Sequence, residues 1–194
     1  MVMHHRFVVM AMAAVASLFA VAGTRAAPPT PYAGQEQREI KALSPEDVKS
    51  LQAGEGMGLA KAAELNRYPG PRHVLDLAAP LELTDTQRAE AERIFTGMRG
   101  EALRLGQEIL AVEREMERRF AMHSMSETDL TRLTDTLGRL NGQLRATHLR
   151  AHLRMRDLLT ADQVERYQHL RGYGGPAGMT GMEPDAGGMH HHHP

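Results

Sequence analysis

The residues best suited to chemistry are His148 and His152, four positions apart, with Met155 three further on. On a helix, positions i, i+4 and i+7 share a face, and two imidazoles so placed can chelate one transition ion such as Ni, Cu or Zn. The competing reading is a pair of half-exposed histidines finishing the edge of a helical core stripe. Arg145, Arg150 and Arg156 nearby disfavour a cation, and His73 and Met57 would add ligands only if the N-terminal arm folds back. A second donor set, His190, His191, His192 and His193 behind Met179, Met182 and Met189, ends the chain. It reads either as a natural low-specificity metal-binding tail or as a cloning tag.

Other chemistry is absent from the pattern. No phosphate-cradling glycine loop, nucleophile elbow or H-E-x-x-H metalloprotease motif occurs. Carboxylates abound on predicted helices, but nothing around them suggests a perturbing pocket, so the chain is not expected to be an enzyme. No Cys occurs, which removes disulfides and thiolate sites. The net charge is −1 and falls further once Arg6 and Arg25 leave with a leader, so whole-protein attraction to nucleic acid has no support.

The elements that position these residues are helical. Apolar residues Ile94, Met98, Ala102, Leu105, Ile109, Val112, Met116 and Phe120 recur at steps of three or four, as do Leu130, Leu133, Leu137, Leu140, Leu144, Ala151, Met155 and Leu158. Two long helices joined by a turn at 121–125 should pack as an antiparallel hairpin. With four Phe, four Tyr and no Trp, its seam must be aliphatic. Gly100, Gly106, Gly138 and Gly142 each cost a helix about 1 kcal/mol relative to Ala, so bends or close backbone approach are expected there. Before the hairpin, Ser44-Pro45-Glu46-Asp47 starts a short helix that Gly54 ends, and two more short turns follow at 59–65 and 73–77.

Charge is segregated along the hairpin. Residues 136–156 carry five arginines and no carboxylate, whereas 108–117 carry four glutamates and one arginine. Leu103, Leu110, Leu149 and Leu153 lie off the seam and need another surface to cover them. That surface is the N-terminal segment or last helix, a second copy of the chain, or unfolded client protein. With Arg145, Arg150 and Arg156, these leucines form the candidate client-binding set, since cations speed encounter and apolar contact holds the client.

Two copies of the pattern L-T-x-x-Q bracket the hairpin: Leu83, Thr84 and Gln87, then Leu159, Thr160 and Gln163. Each reads as a capping box, with Asp85 or Asp162 adding negative charge to the positive helix end. Together with the long hairpin between them, these pentapeptides resemble the Spy/CpxP family of periplasmic proteins and its heavy-metal resistance and sensor relatives. The resemblance spans residues 83–173. It implies an all-α protein, usually a curved homodimer, that binds unfolded proteins without ATP and in some members serves an envelope-stress sensor or inhibitor role. Metal-binding relatives use His and Met side chains on these helices, which strengthens His148, His152 and Met155.

Residues 1–26 read as a secretory signal, with Arg6, an uncharged run at 7–23, and Thr24 and Ala26 around Arg25 as the cleavage site. The run is short for a span of about 20 residues, so a periplasmic protein with no stable membrane span is expected. A Pro-rich linker (27–43), a short-helix segment (44–82), the hairpin domain (83–172) and a disordered Gly/Met/His-rich tail (173–194) follow. The function expected is an ATP-independent chaperone-like stress protein, or alternatively a Ni/Cu/Zn-binding resistance or sensor protein. No cofactor is required for the first.

Overall fold

Local sequence sets each helix start. In the computed structural model, which describes residues 30–173, Ser44 Oγ accepts from Asp47 N at 3.0 Å while the Asp47 carboxylate accepts from Ser44 N at 3.1 Å. The Ser44 hydroxyl, donating to the Asp47 carboxylate at 2.7 Å, and then Ser44 N hold that carboxyl below the usual carboxylate range, and Pro45 occupies the first turn of α1 (Pro45–Ala53). Gly54 ends α1 with φ 65°, a left-handed conformation that costs glycine nothing. Short helices α2 (Lys61–Leu65) and α3 (Pro71–Asp76) follow, the latter opened by Pro71 after Gly70. Residues 30–34 form a separate turn, closed by Ala33 N donating to Thr30 O at 3.1 Å. The signal-like segment and His190, His191, His192 and His193 lie outside the described residues.

Two long helices dominate the rest. The first, α4 (Asp85–Ala121), has 37 residues and a length of about 55 Å; α5 (Glu127–Leu158) has 32 residues. They pack against each other as the expected hairpin. The chain reverses through His123 at φ 52°, with Ser124 N donating to Arg119 O at 2.9 Å. Arg119 spans the reversal, bonding Glu115 on one side and Asp129 on the other, both at 2.6 Å. A last helix, α6 (Ala161–Leu170), starts directly after α5. Among the described residues no helix is long and apolar enough to cross a membrane.

The seam is aliphatic, as periodicity predicts, and falls into two clusters. Near the open end of the hairpin, Val74, Leu81, Leu83, Ile94, Met155, Leu159, Val164 and Tyr167 pack together. Toward the turn, Ile40, Leu51, Leu105, Ile109, Leu110, Leu140 and Leu144 form the second. Phe120, last in the predicted stripe, is 52% exposed because the helices end there without a facing layer.

The N-terminal segment covers one side of α4. Leu110 is buried among Ile40 and Leu51, and Leu103 is half-buried, its Cγ within 3.1 Å of where a Cβ on Gly54 would stand. Of the four off-seam leucines only Leu153 is exposed (51%), with Leu149 half-buried. Leu110 therefore belongs to the interior and not to an open client surface. The helical glycines also separate. A Cβ on Gly106 would sit 2.2 Å from Leu51 O, so the end of α1 crosses α4 at backbone distance, whereas Gly100, Gly138 and Gly142 have nothing within 4 Å.

Candidate functional site

The folding back of the N-terminal segment creates a cleft of about 510 Å³ between the loop after α1, helices α2 and α3, and the hairpin. His148 and His152 form part of its wall, and Met57 and His73 line it too, so the arm brings those side chains into the same cleft as the histidines. Met155 does not take part. It is fully buried in the apolar cluster around Val74 and Tyr167, because its helical position faces the seam.

Neither histidine is half-exposed: His148 is 3% and His152 8% exposed. His152 Nδ1 lies 2.8 Å from Tyr68 O. A carbonyl only accepts, so Nδ1 carries the proton, and in the neutral ring Nε2 keeps a lone pair. His148 Nε2 is buried without a hydrogen-bond partner. Burial, then repulsion from His152, lowers the pKa of His148 and favours the neutral ring. Burial first, then Arg171, does the same to His73.

Behind the histidines stands a polar network that nothing in the sequence pattern announces. Glu64, on α2, accepts from Tyr167 Oη at 2.5 Å and from Tyr173 Oη at 3.3 Å. Arg171 Nε and His152 Nδ1 each stand 3.6 Å from its carboxylate. Tyr167 Oη in turn accepts from Gly70 N at 3.3 Å. Burial, followed by the bond to Glu64, raises the Tyr167 pKa, so the phenol stays a donor. This network ties α2 and α3 to α5 and α6, and so fixes the back of the cleft. Glu64 sits alone on a five-residue helix, and only its partners, around a hundred positions later in the chain, give it a role.

As a metal centre the cleft offers two imidazoles one turn apart and the thioethers of Met57 and Met98 nearby in the lining. Among the described residues no group of three or more His, Cys, Asp or Glu is placed to hold an ion. The Glu64 carboxylate already accepts two phenol hydrogens.

The predicted client-binding arginines lie elsewhere on α5. Arg145 and Arg150 are exposed, Arg156 half-buried, and none has an ion-pair or hydrogen-bond partner among the described residues. On α4 most arginines are paired, Arg93 with Glu90, Arg104 with Glu101 and Glu108, Arg114 with Glu39, and Arg118 with Glu115, whereas the side chains of Arg88 and Arg99 have no partner among the described residues. In the acidic segment of α4, Glu108 and Glu115 bond arginines of their own helix and Glu117 binds Lys41 of the N-terminal segment, while the Glu113 side chain has no partner among the described residues. None of the four pairs with Arg145, Arg150 or Arg156.

The two pentapeptides meet in space. Leu83 and Leu159 share the apolar cluster, and the caps of Thr84 and Thr160 both form as predicted. Beyond its own cap, each glutamine bonds the other. No family model, curated protein or solved structure matches this chain.

Proposed function

We propose that this chain is an exported, ATP-independent chaperone-like stress protein of the Spy/CpxP type, which holds unfolded segments against the outer face of α5. One observation carries this reading: Arg145, Arg150 and Arg156 have no partner among the described residues, in a stretch where Leu153 is 51% exposed and Leu149 half-buried. Unpaired guanidinium groups attract acidic or unfolded chain at long range, and adjacent leucine surface retains it once water is displaced. Leu103 and Leu110 are not part of this surface. The periplasmic location, the homodimer and the envelope-stress sensor as partner belong to the same proposal and rest on the resemblance of the paired pentapeptides.

The test is an aggregation assay with the mature protein and a chemically unfolded client, without nucleotide. Aggregation slows at equimolar protein, and the protection falls in Arg145→Glu/Arg150→Glu. Unchanged aggregation at several-fold excess would dispose of the idea.

A second reading has its own support. Two buried imidazoles one helical turn apart, one with an unpartnered Nε2, fit a Ni, Cu or Zn buffer or sensor site in the cleft. Titration of mature protein lacking residues 174–194 with each ion then gives one tight site, lost in His148→Ala/His152→Ala. Binding that disappears with the tail alone counts against it.

A further inference from the structure

The cleft carries more than its histidines. Its volume of about 510 Å³ is that of a small-molecule site rather than of a single ion, sites of this kind running from about 300 to 1,000 Å³. Phe95 and Met98 of α4 form an apolar wall, and Met57 and Leu65, 43% and 55% exposed, stand at the mouth. Flexible thioethers beside an aromatic ring adapt to apolar shapes of differing outline.

The charges around it are unequally committed. Glu64 is engaged by Tyr167 and Tyr173, Glu55 accepts from Ser50 Oγ at 2.8 Å, and Arg72 is paired with Asp76. Lys61 and Arg99, which also line the cleft, have no partner among the described residues. Two cations thus stand without a carboxylate partner, against one carboxylate, Glu55, whose only side-chain bond among the described residues comes from a neutral hydroxyl. His148 adds a ring that is 3% exposed, with an Nε2 that no protein atom bonds. Finally, Met57 is held at φ 46° beside Gly58 at φ 74°. A left-handed methionine is strained, as are Arg67, Glu82 and His123 at other turns, and strain of this kind also occurs at ligand clamps.

The geometry points to a binding site for a small amphipathic anion, an apolar molecule ending in a carboxylate. Arg99 and Lys61 hold the head, Phe95, Met98 and Leu65 pack the body, and Met57 closes over it. The edge of the His148 ring nearest Gly56 is Nδ1 and Cε1, 3.8 and 3.9 Å from where a Cβ there would stand, so a ligand oxygen meets that edge and not the enclosed Nε2. This site is separate from the arginine face of α5, so either can fail without the other.

Calorimetric titration of the mature full-length protein with octanoate, and with 1-octanol as the uncharged analogue, tests it. Octanoate gives saturable one-to-one binding and octanol binds markedly more weakly. Lys61→Ala/Arg99→Ala weakens octanoate roughly tenfold, as expected for loss of a charge-assisted bond. Gly56→Leu abolishes binding, since Gly56 needs no left-handed φ and its added side chain grows toward the His148 ring, 3.8 Å from the Cβ position. Arg145→Ala leaves it unchanged. Thermal melting checks that each variant folds, and should Gly56→Leu fail to, movement of the His148 ring signal in NMR on adding octanoate to the unaltered protein replaces it. No saturable heat, equal affinity for octanol, insensitivity to the Lys61/Arg99 change, or a stationary His148 signal overturns the proposal.

Discussion

Gln87 and Gln163 donate to each other, Nε2 to Oε1, at 2.8 and 3.0 Å across 76 positions of sequence. Each Oε1 also accepts from its own cap residue, Thr84 N at 3.1 Å or Thr160 N at 3.0 Å. Each Nε2 spends its second hydrogen on a carbonyl of the other motif's approach, Leu158 O at 3.2 Å or Leu81 O at 3.3 Å. Both amides are therefore saturated, and the repeated pentapeptide works as one clasp at the open end of the hairpin.

A glutamate caps a helix as well as a glutamine does but cannot donate. Gln87→Glu should therefore keep the cap of α4 and still lose the clasp, destabilising the protein by about 1–3 kcal/mol. Urea unfolding of Gln87→Glu, Gln163→Glu and the double variant measures this. Unaltered midpoints would show that the pairing contributes nothing beyond two independent caps.

Glycine replacements in the hairpin should divide by sign. Gly100→Ala, Gly138→Ala and Gly142→Ala meet open space and should each stabilise by up to about 1 kcal/mol. Gly106→Ala drives a methyl against Leu51 O, and overpacking of about 1–3 kcal/mol should exceed the helical gain. Thermal melts of the four single variants decide it.

Leu110→Ala and Leu153→Ala should separate stability from client retention. Leu110 is 2% exposed, so its truncation costs about 2–5 kcal/mol. Leu153 is 51% exposed, and its loss should move stability by no more than about 0.5 kcal/mol while shortening the lifetime of a bound client. Unfolding curves beside client dissociation rates give both readings.

Acidification should loosen the cleft. The His148 pKa is lowered by burial and by His152, so between that depressed value and the ordinary histidine range the unfolded chain binds the extra proton. Its contribution to stability is complete above the ordinary histidine pKa of about 6.5 and is lost as pH falls through the depressed folded-state value. His152 on the same helix and Glu64, His73, Lys61 and Arg99 across the cleft share this environment, and His73 adds an effect of the same sign. Urea midpoints from pH 7.5 to 5 should fall in the unaltered protein and flatten in His148→Gln.

Much of the fold was legible because it is local. Ser44, Thr84, Ser126 and Thr160 cap the helices they announce, and the three-and-four spacing of Ile94 through Ile109 and of Leu133 through Met155 defines the buried seam. The paired histidines could also be singled out, since their spacing alone puts them on one face. Two signals were present without being decisive. Leu103 and Leu110 stood off the stripe, and Gly106 interrupted a run of good helix formers; both mark the crossing of α1 over α4.

Sequence alone determined where the capped helices α1, α4, α5 and α6 begin, because capping and periodicity act within a few residues; α2 and α3, expected at 59–65 and 73–77, have no side-chain cap and lie at Lys61–Leu65 and Pro71–Asp76. Tertiary structure alone decided that the N-terminal arm folds back, which buries Leu110, brings Met57 and His73 to His148 and His152, and gives Glu64 its tyrosines. Those pairings join residues far apart in the chain, and no local preference encodes them. They form because the arm's apolar side chains, Ile40, Leu51 and Val74, lose more free energy in water than ordering the intervening loops costs.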